Sequence, residues 1–167
     1  KLGQPVDVLF VQPVIGRGSE VQGLEVSSQQ NFGNFGVIAN YTYTDADSKD
    51  ERDPVNNPGS GLVRGTSEHM ANLSGFFEND WLSARLSYNF RTEWYDGLSE
   101  FGSEMYIEDY GQLDASVTFT AYDNWDIVLE GINITGEELE QYHIDTGRSA
   151  RLYDNGARYV VGLNYRF

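Results

Sequence analysis

The 167-residue chain holds two histidines and no cysteine, so few of its side chains can act as nucleophiles or soft metal ligands. Without cysteine, disulfide scaffolds, zinc-thiolate sites and thiol nucleophiles are all excluded. His69 and His143 are distant in sequence, and neither stands at a spacing from a serine or carboxylate that singles out a catalytic arrangement. No enzyme activity and no cofactor is expected. Asp45, Asp47, Asp50, Glu51 and Asp53 are dense enough to raise Ca²⁺, which takes roughly six to eight oxygens. The run lacks the D-x-D-x-D-G spacing and distal Glu of a dedicated loop, so a solvated acidic loop is the better reading. A further group mixes flat rings with hydrogen-bond acceptors. Trp94, Tyr95, Tyr106 and Tyr110 have faces that can stack on sugar rings, and Asp96, Glu104 and Asp109 can accept from hydroxyls. The same rings would serve equally well as a girdle at lipid-headgroup level.

The elements that must position these groups are strands. In Trp81 to Arg91, Leu82, Ala84, Leu86, Tyr88 and Phe90 alternate with Ser83, Arg85, Ser87, Asn89 and Arg91, a period of two with one greasy and one wet face. Leu113 to Ala121 and Tyr159 to Phe167 alternate in the same way, and Phe35 to Thr44 and Ser67 to Phe77 do so more weakly. Val21 to Gln30 and Trp125 to Thr135 have mixed faces, and Val6 to Val14 is apolar but bounded by Pro5 and Pro13. That makes about eight strands and no convincing amphipathic helix. No apolar run is long enough for a membrane-spanning helix. With 26 acidic against 11 basic residues, and only two lysines, a nucleic-acid partner is excluded as well.

Connections then separate a soluble β-sandwich from a membrane barrel. Short polar turns at Asn31 to Asn34, Glu78 to Asp80 and Tyr122 to Asn124 alternate with long segments at Asp45 to Gly65, Thr92 to Asp109 and Glu137 to Asn155. An outer-membrane barrel has this asymmetry, with short periplasmic turns and long external loops, and Phe167 falls on the short-turn side. The long segments carry 16 of the acidic residues and five of the basic ones. Aromatic residues gather at strand ends, as belts at two membrane interfaces would require. Arg85, Asn89, Arg91, Asp114 and Glu130 share the polar face; in a dry sandwich core each charge would cost several kcal/mol, whereas a wet or plug-filled lumen carries no such penalty. There the arginines have Asp114, Glu130 or plug carboxylates as candidate partners. A self-contained eight-stranded barrel serving as anchor, adhesin or small pore is the alternative, and it needs Val6 to Val14 paired with Tyr159 to Phe167. A soluble sugar-binding sandwich ranks third.

From Arg17 to Phe167 the sequence resembles the C-terminal end of a TonB-dependent outer-membrane receptor. The resemblance rests on Val21-Gln22-Gly23-Leu24-Glu25 and Asn40-Tyr41-Thr42-Tyr43-Thr44-Asp45, on Ser67 to Leu73 with Ala84 to Arg91, on Leu113-Asp114-Ala115-Ser116 with Glu130 to Glu137, and on Asn155-Gly156-Ala157-Arg158-Tyr159 with Phe167. The usual N-L-T-D-E is Asn133-Ile134-Thr135-Gly136-Glu137 here, and Ala157 interrupts the closing G-R-x-Y. The resemblance implies an all-β, antiparallel transmembrane barrel of 22 strands, of which residues 1–167 supply about the last eight, with the plug domain and TonB box outside this chain. It further implies a bacterial outer-membrane location, TonB-dependent uptake of an oligosaccharide or siderophore-type cargo, and contact with lipid, with the rest of the barrel and its plug, with TonB through that plug, and with a surface lipoprotein in some branches. Gly162, Tyr165 and Phe167 match the spacing of the signal read by the barrel-assembly machinery, with Val160 where a polar residue is usual.

Overall fold

A computed structural model describes residues 18–122 and 124–166, and every regular element among them is a strand. The elements are Ser19–Phe32 (β1), Phe35–Ser48 (β2), His69–Glu78 (β3), Leu82–Arg91 (β4), Trp94–Leu98 (β5), Glu104–Ile107 (β6), Tyr110–Tyr122 (β7), Trp125–Ile132 (β8), Leu139–His143 (β9), Arg148–Tyr153 (β10) and Arg158–Tyr165 (β11). Seven of the expected strands form one antiparallel sheet in the order β1-β2-β3-β4-β7-β8-β11. The expected Val6 to Val14 strand and Phe167 lie outside the described residues.

Register explains why alternation was so regular. Directly paired residues project to the same side of a sheet, so the pairings carry each face across all seven strands. The row Phe77↔Ala84↔Val117↔Leu129↔Val161 is apolar throughout, and the row Ser74↔Ser87↔Asp114 on the opposite face is polar throughout. The apolar face is uncovered: Leu86 is 51% and Tyr88 43% exposed, with Leu24, Leu73, Leu129 and Val161 likewise open. A water-soluble sandwich would lay a second layer over this face. Here the buried apolar residues Trp94, Tyr95 and Ile107 all lie outside the large sheet. Such a surface, in a chain this acidic, is suited to hydrocarbon.

Aromatic pairs mark the lower margin of that band near the short turns. Phe35 stands 4.8 Å from Phe77, Trp81 5.7 Å from Phe119 and Trp125 4.7 Å from Tyr165, ring centre to ring centre. The upper margin holds Tyr41, Tyr43 and His69, with a 2.8 Å hydrogen bond between the Tyr41 hydroxyl and His69 Nδ1. Eight residues separate Phe35 from Tyr43, about 27 Å along a strand. A tilt of ~40° brings this to about 20 Å, close to the ~25 Å apolar band of outer-membrane barrels.

The turns are built by their own side chains. Gly33 and Asn34 join β1 to β2 in two residues, and Gly33 at φ 64° occupies the first central position, where a type II′ hairpin needs glycine. Between β3 and β4, Asn79 Oδ1 accepts from the amides of Trp81 (3.1 Å) and Leu82 (2.8 Å). On the polar face the Phe76 ring lies over Gly36, and a Cβ there would fall inside it. Gly36→Val is expected to destabilise the barrel by about 1–3 kcal/mol through overpacking. Equilibrium unfolding in urea checks this, and the penalty should shrink in a Phe76→Ala background.

The long segments are not the plain loops expected. Two of them fold into hairpins, β5–β6 and β9–β10, and join through β6 and β9 into a second sheet of order β10-β9-β6-β5. Both hairpins rise from the end of the large sheet opposite the short turns, so the second sheet is a cap over that end. The edges of β1 and β11 carry no partner strand among the described residues, an arrangement a bilayer does not tolerate.

Candidate functional site

The cap holds most of the predicted cargo-binding residues. Trp94 and Tyr95 are each 9% exposed, and Tyr106 is half-buried; the Tyr95, Tyr106 and Tyr142 rings form a line with centre-to-centre spacings of 5.5 and 6.1 Å. Register causes this, because Tyr95↔Tyr106 and Tyr106↔Tyr142 are direct cross-strand pairs in β5, β6 and β9. Tyr110 stands apart from that line at the start of β7, on the cap side, donating to Gln112 Oε1 at 2.9 Å.

The predicted acceptors have protein partners. Glu104 is 4% exposed and takes a two-pronged hydrogen bond from Arg52, Nη1 to Oε1 at 2.7 Å and Nη2 to Oε2 at 2.5 Å, plus the Gly59 amide at 2.7 Å. The Arg52–Glu104 pair fixes the first long segment to the cap. Asp96 accepts from Arg64 at 3.2 Å and from Gln141 Nε2 at 2.6 Å, and Asp109 accepts the Glu93 amide at 2.6 Å. Burial pulls the Glu104 carboxyl upward, but the Arg52 hydrogen bonds, the Gly59 amide and the arginine charge outweigh it and hold the group below its ordinary value. Tyr142 is pushed well up by burial and by its 2.7 Å hydrogen bond to Glu93, and Tyr95 and Tyr106 rise by burial beside Glu104. Of the three phenols, Tyr142 donates its hydrogen bond to Glu93.

Arg91 links cap to wall. Its guanidinium carbon lies 3.6 Å from the centre of the Trp94 ring, Nε donates to Ser67 Oγ at 2.9 Å and Nη2 donates to the Gly65 carbonyl at 3.3 Å. The other predicted wall residues share its face by register: Asn89 pairs with Gln112, Arg85 with Ser116, and Ser116 with Glu130. Among the described residues neither Arg85 nor Arg91 forms an ion pair with Asp114 or Glu130; Arg85 lies over the Phe76 ring at 5.7 Å, and Asp114 accepts from Gln112 (2.7 Å) and from the Asn133 amide (2.9 Å). Asn133, at φ 54°, then closes the turn leaving β8 by accepting from the Glu137 amide and donating to the Glu137 carbonyl. Arg85, Ser87, Asp114 and Glu130 line a shallow hollow of about 290 Å³.

The acidic run beginning at Asp45 does not converge. Asp45 and Asp47 continue β2, whereas Asp53 caps its own turn, accepting the Asn56 amide at 3.0 Å. Among the described residues no group of three or more His, Asp or Glu side chains is placed to hold a metal ion. Gly162 lies on the polar face of β11 beside Val128, and Tyr165 on the apolar face against Trp125.

Arg52, Gly59, Gln141 and Tyr142 escaped the sequence reading. The available signal was Gly102 and Gly147, both at positive φ between short aromatic runs, which mark the two cap hairpins.

A seven-stranded sheet, apolar and uncovered on one side, polar on the other and capped at one rim, defines a segment of transmembrane β-barrel wall. The family profile described as "TonB dependent receptor-like, beta-barrel" matches residues 3–134, and the chain belongs to that family. It is a family of receptors, not enzymes. No curated protein matches the sequence at a significant level. Among solved structures, the siderophore receptor PiuA from Acinetobacter baumannii is similar, with a TM-score of 0.65 at 16% identity over 88% of this chain. The match covers 22% of that receptor, a likeness of fold.

Proposed function

We propose that residues 1–167 form the C-terminal wall and external loops of an outer-membrane receptor that takes up a nutrient, oligosaccharide or siderophore-type, with energy delivered through TonB. The observation that carries this reading is the two-faced sheet, with its apolar face open between two aromatic margins. The family membership supports it, as does the siderophore receptor among structural neighbours. Under this reading β1 and β11 pair with the rest of the barrel, the polar face meets the plug, and TonB acts through that plug. The barrel-assembly machinery reads Gly162, Tyr165 and Phe167, and a surface lipoprotein is a candidate partner at the cap. Cargo reaches the cap at Trp94, Tyr95, Tyr106 and Tyr110, with Asp96, Glu104 and Asp109 holding the surrounding chain through the contacts described.

Nutrient-uptake assays in cells with and without TonB test the proposal; uptake that persists at full rate without TonB refutes it. Trp94→Ala and Tyr106→Ala are expected to lower uptake and cargo affinity at normal receptor abundance, and unchanged values would remove both from the site.

A further inference from the structure

One row of the wall consists of short polar side chains and nothing charged. Ser27↔Asn40, Asn40↔Asn72, Asn72↔Asn89 and Asn89↔Gln112 are successive cross-strand pairs, so three asparagines, a serine and a glutamine stand abreast across β1, β2, β3, β4 and β7. The row lies immediately below Arg91 and the cap, and a hollow of about 280 Å³ opens over Asn40, Asn72 and Asn89 with Met70 and Tyr110 beside them.

The amides satisfy one another only in part. Ser27 Oγ donates to Asn40 Oδ1 at 2.7 Å, and Asn72 Nδ2 donates to Asn89 Oδ1. Asn40 Nδ2, Asn72 Oδ1 and Asn89 Nδ2 have no partner among the described residues, which leaves two donors and an acceptor open to the hollow. An amide that donates and accepts from adjacent atoms matches a sugar hydroxyl, which does the same from one oxygen. Charge selects further. Arg91, which among the described residues is the one cation lining the hollow, is turned to Trp94, Ser67 and Gly65, and the cap contributes Glu93, Glu108 and Asp109 around a second opening. An anionic ferric chelate would meet repulsion from those carboxylates, and the guanidinium of Arg91 is already engaged.

We propose that the Asn40–Asn72–Asn89 row is a binding track for an uncharged, hydroxyl-rich cargo of the oligosaccharide class. This rests on the receptor reading above and narrows its cargo.

The test uses the full-length receptor containing this chain, purified from outer membranes, with calorimetric titration of maltohexaose, xylohexaose and mannohexaose and of anionic ferric enterobactin. At least one hexasaccharide should bind and the ferric complex should not. Asn72→Ala with Asn89→Ala should weaken that binding tenfold or more, with heat-modifiable gel mobility and membrane abundance unchanged. Binding of the ferric complex alone, absence of binding by all three hexasaccharides, or undiminished hexasaccharide affinity in the double variant would each overturn the track. A variant that loses thermal stability while keeping its affinity would assign the row to plug contact and also overturn it. Failure of the receptor reading looks different: wild-type protein absent from the outer membrane, or uptake independent of TonB.

Discussion

Leu86→Arg is expected to destabilise the folded barrel by about 2–4 kcal/mol, the penalty for a cation near the midplane of a bilayer on the lipid face. Leu86 pairs with Gly75 on one side and Ala115 on the other, and its side chain is half exposed on the apolar face, midway between the aromatic margins. Its neighbour Ser87 pairs with Ser74 and Asp114 on the polar face. Ser87→Arg should therefore cost less than about 1 kcal/mol, because the arginine enters a wet lumen beside a carboxylate. Urea titrations of the receptor refolded into lipid vesicles read both values, and heat-modifiable gel mobility reads assembly in cells. Equal effects for the two substitutions, one residue apart, would mean that the two faces do not have different solvents.

That pair of substitutions also shows why the large sheet was legible in sequence. A side chain on such a wall meets hydrocarbon or water, and the two environments differ by several kcal/mol for any charge, so Leu82 to Arg91 alternates without exception. The long segments after β2, β4 and β8 mark one rim because outer-membrane barrels keep the turns at the other rim short. On the polar face the pattern loosens. Phe76 and Ile38 stand on the polar face, and the glycine under Phe76 shows why: the ring fills the space over Gly36 in the wall itself.

The cap was illegible for equally physical reasons. Its strands are four to six residues long, too short for a period to declare itself, and the bulge between Tyr95 and Gly97 breaks the alternation in β5. Its central pairing, β6 with β9, joins two separate segments, Met105 to His143, with all of β7 and β8 between them. Nothing local encodes such a contact. The aromatic and acidic residues of this region were recognised as a group, but aromatic type alone does not show how far each ring is covered by its neighbours, as Trp94 is by Arg91. Likewise a carboxylate in an acidic chain gives no sign that, like Glu104, it is nearly sealed from water against an arginine 52 residues away.

Glu104 carries the second large effect. Glu104→Gln keeps the side chain's shape but removes the charge that holds Arg52, and it should weaken docking of the first long segment by about 2 kcal/mol, within the range for hydrogen bonds to charged groups. Arg52 is more open to solvent, at 39% against 4% for its partner, so it can turn to water and the loss falls short of that for a fully buried pair. Hydrogen exchange offers a reporter, because the Gly59 amide donates to Glu104 Oε1 and should exchange some tenfold to a hundredfold faster in the variant. The pH dependence has a fixed sign. The carboxyl is held below its ordinary value of 4.5 in the folded cap, so its contribution is fully present above that pH and is lost as pH falls through the lower folded value. In the wild type, Gly59 protection, corrected for intrinsic exchange, should be flat above pH 5 and decline on acidification. In Glu104→Gln that decline should disappear, because no group remains there to protonate. A wild-type profile flat down to pH 3 would mean that the ionised carboxylate is dispensable to the docking; a decline of the same size in both proteins would place the titrating group elsewhere in the cap.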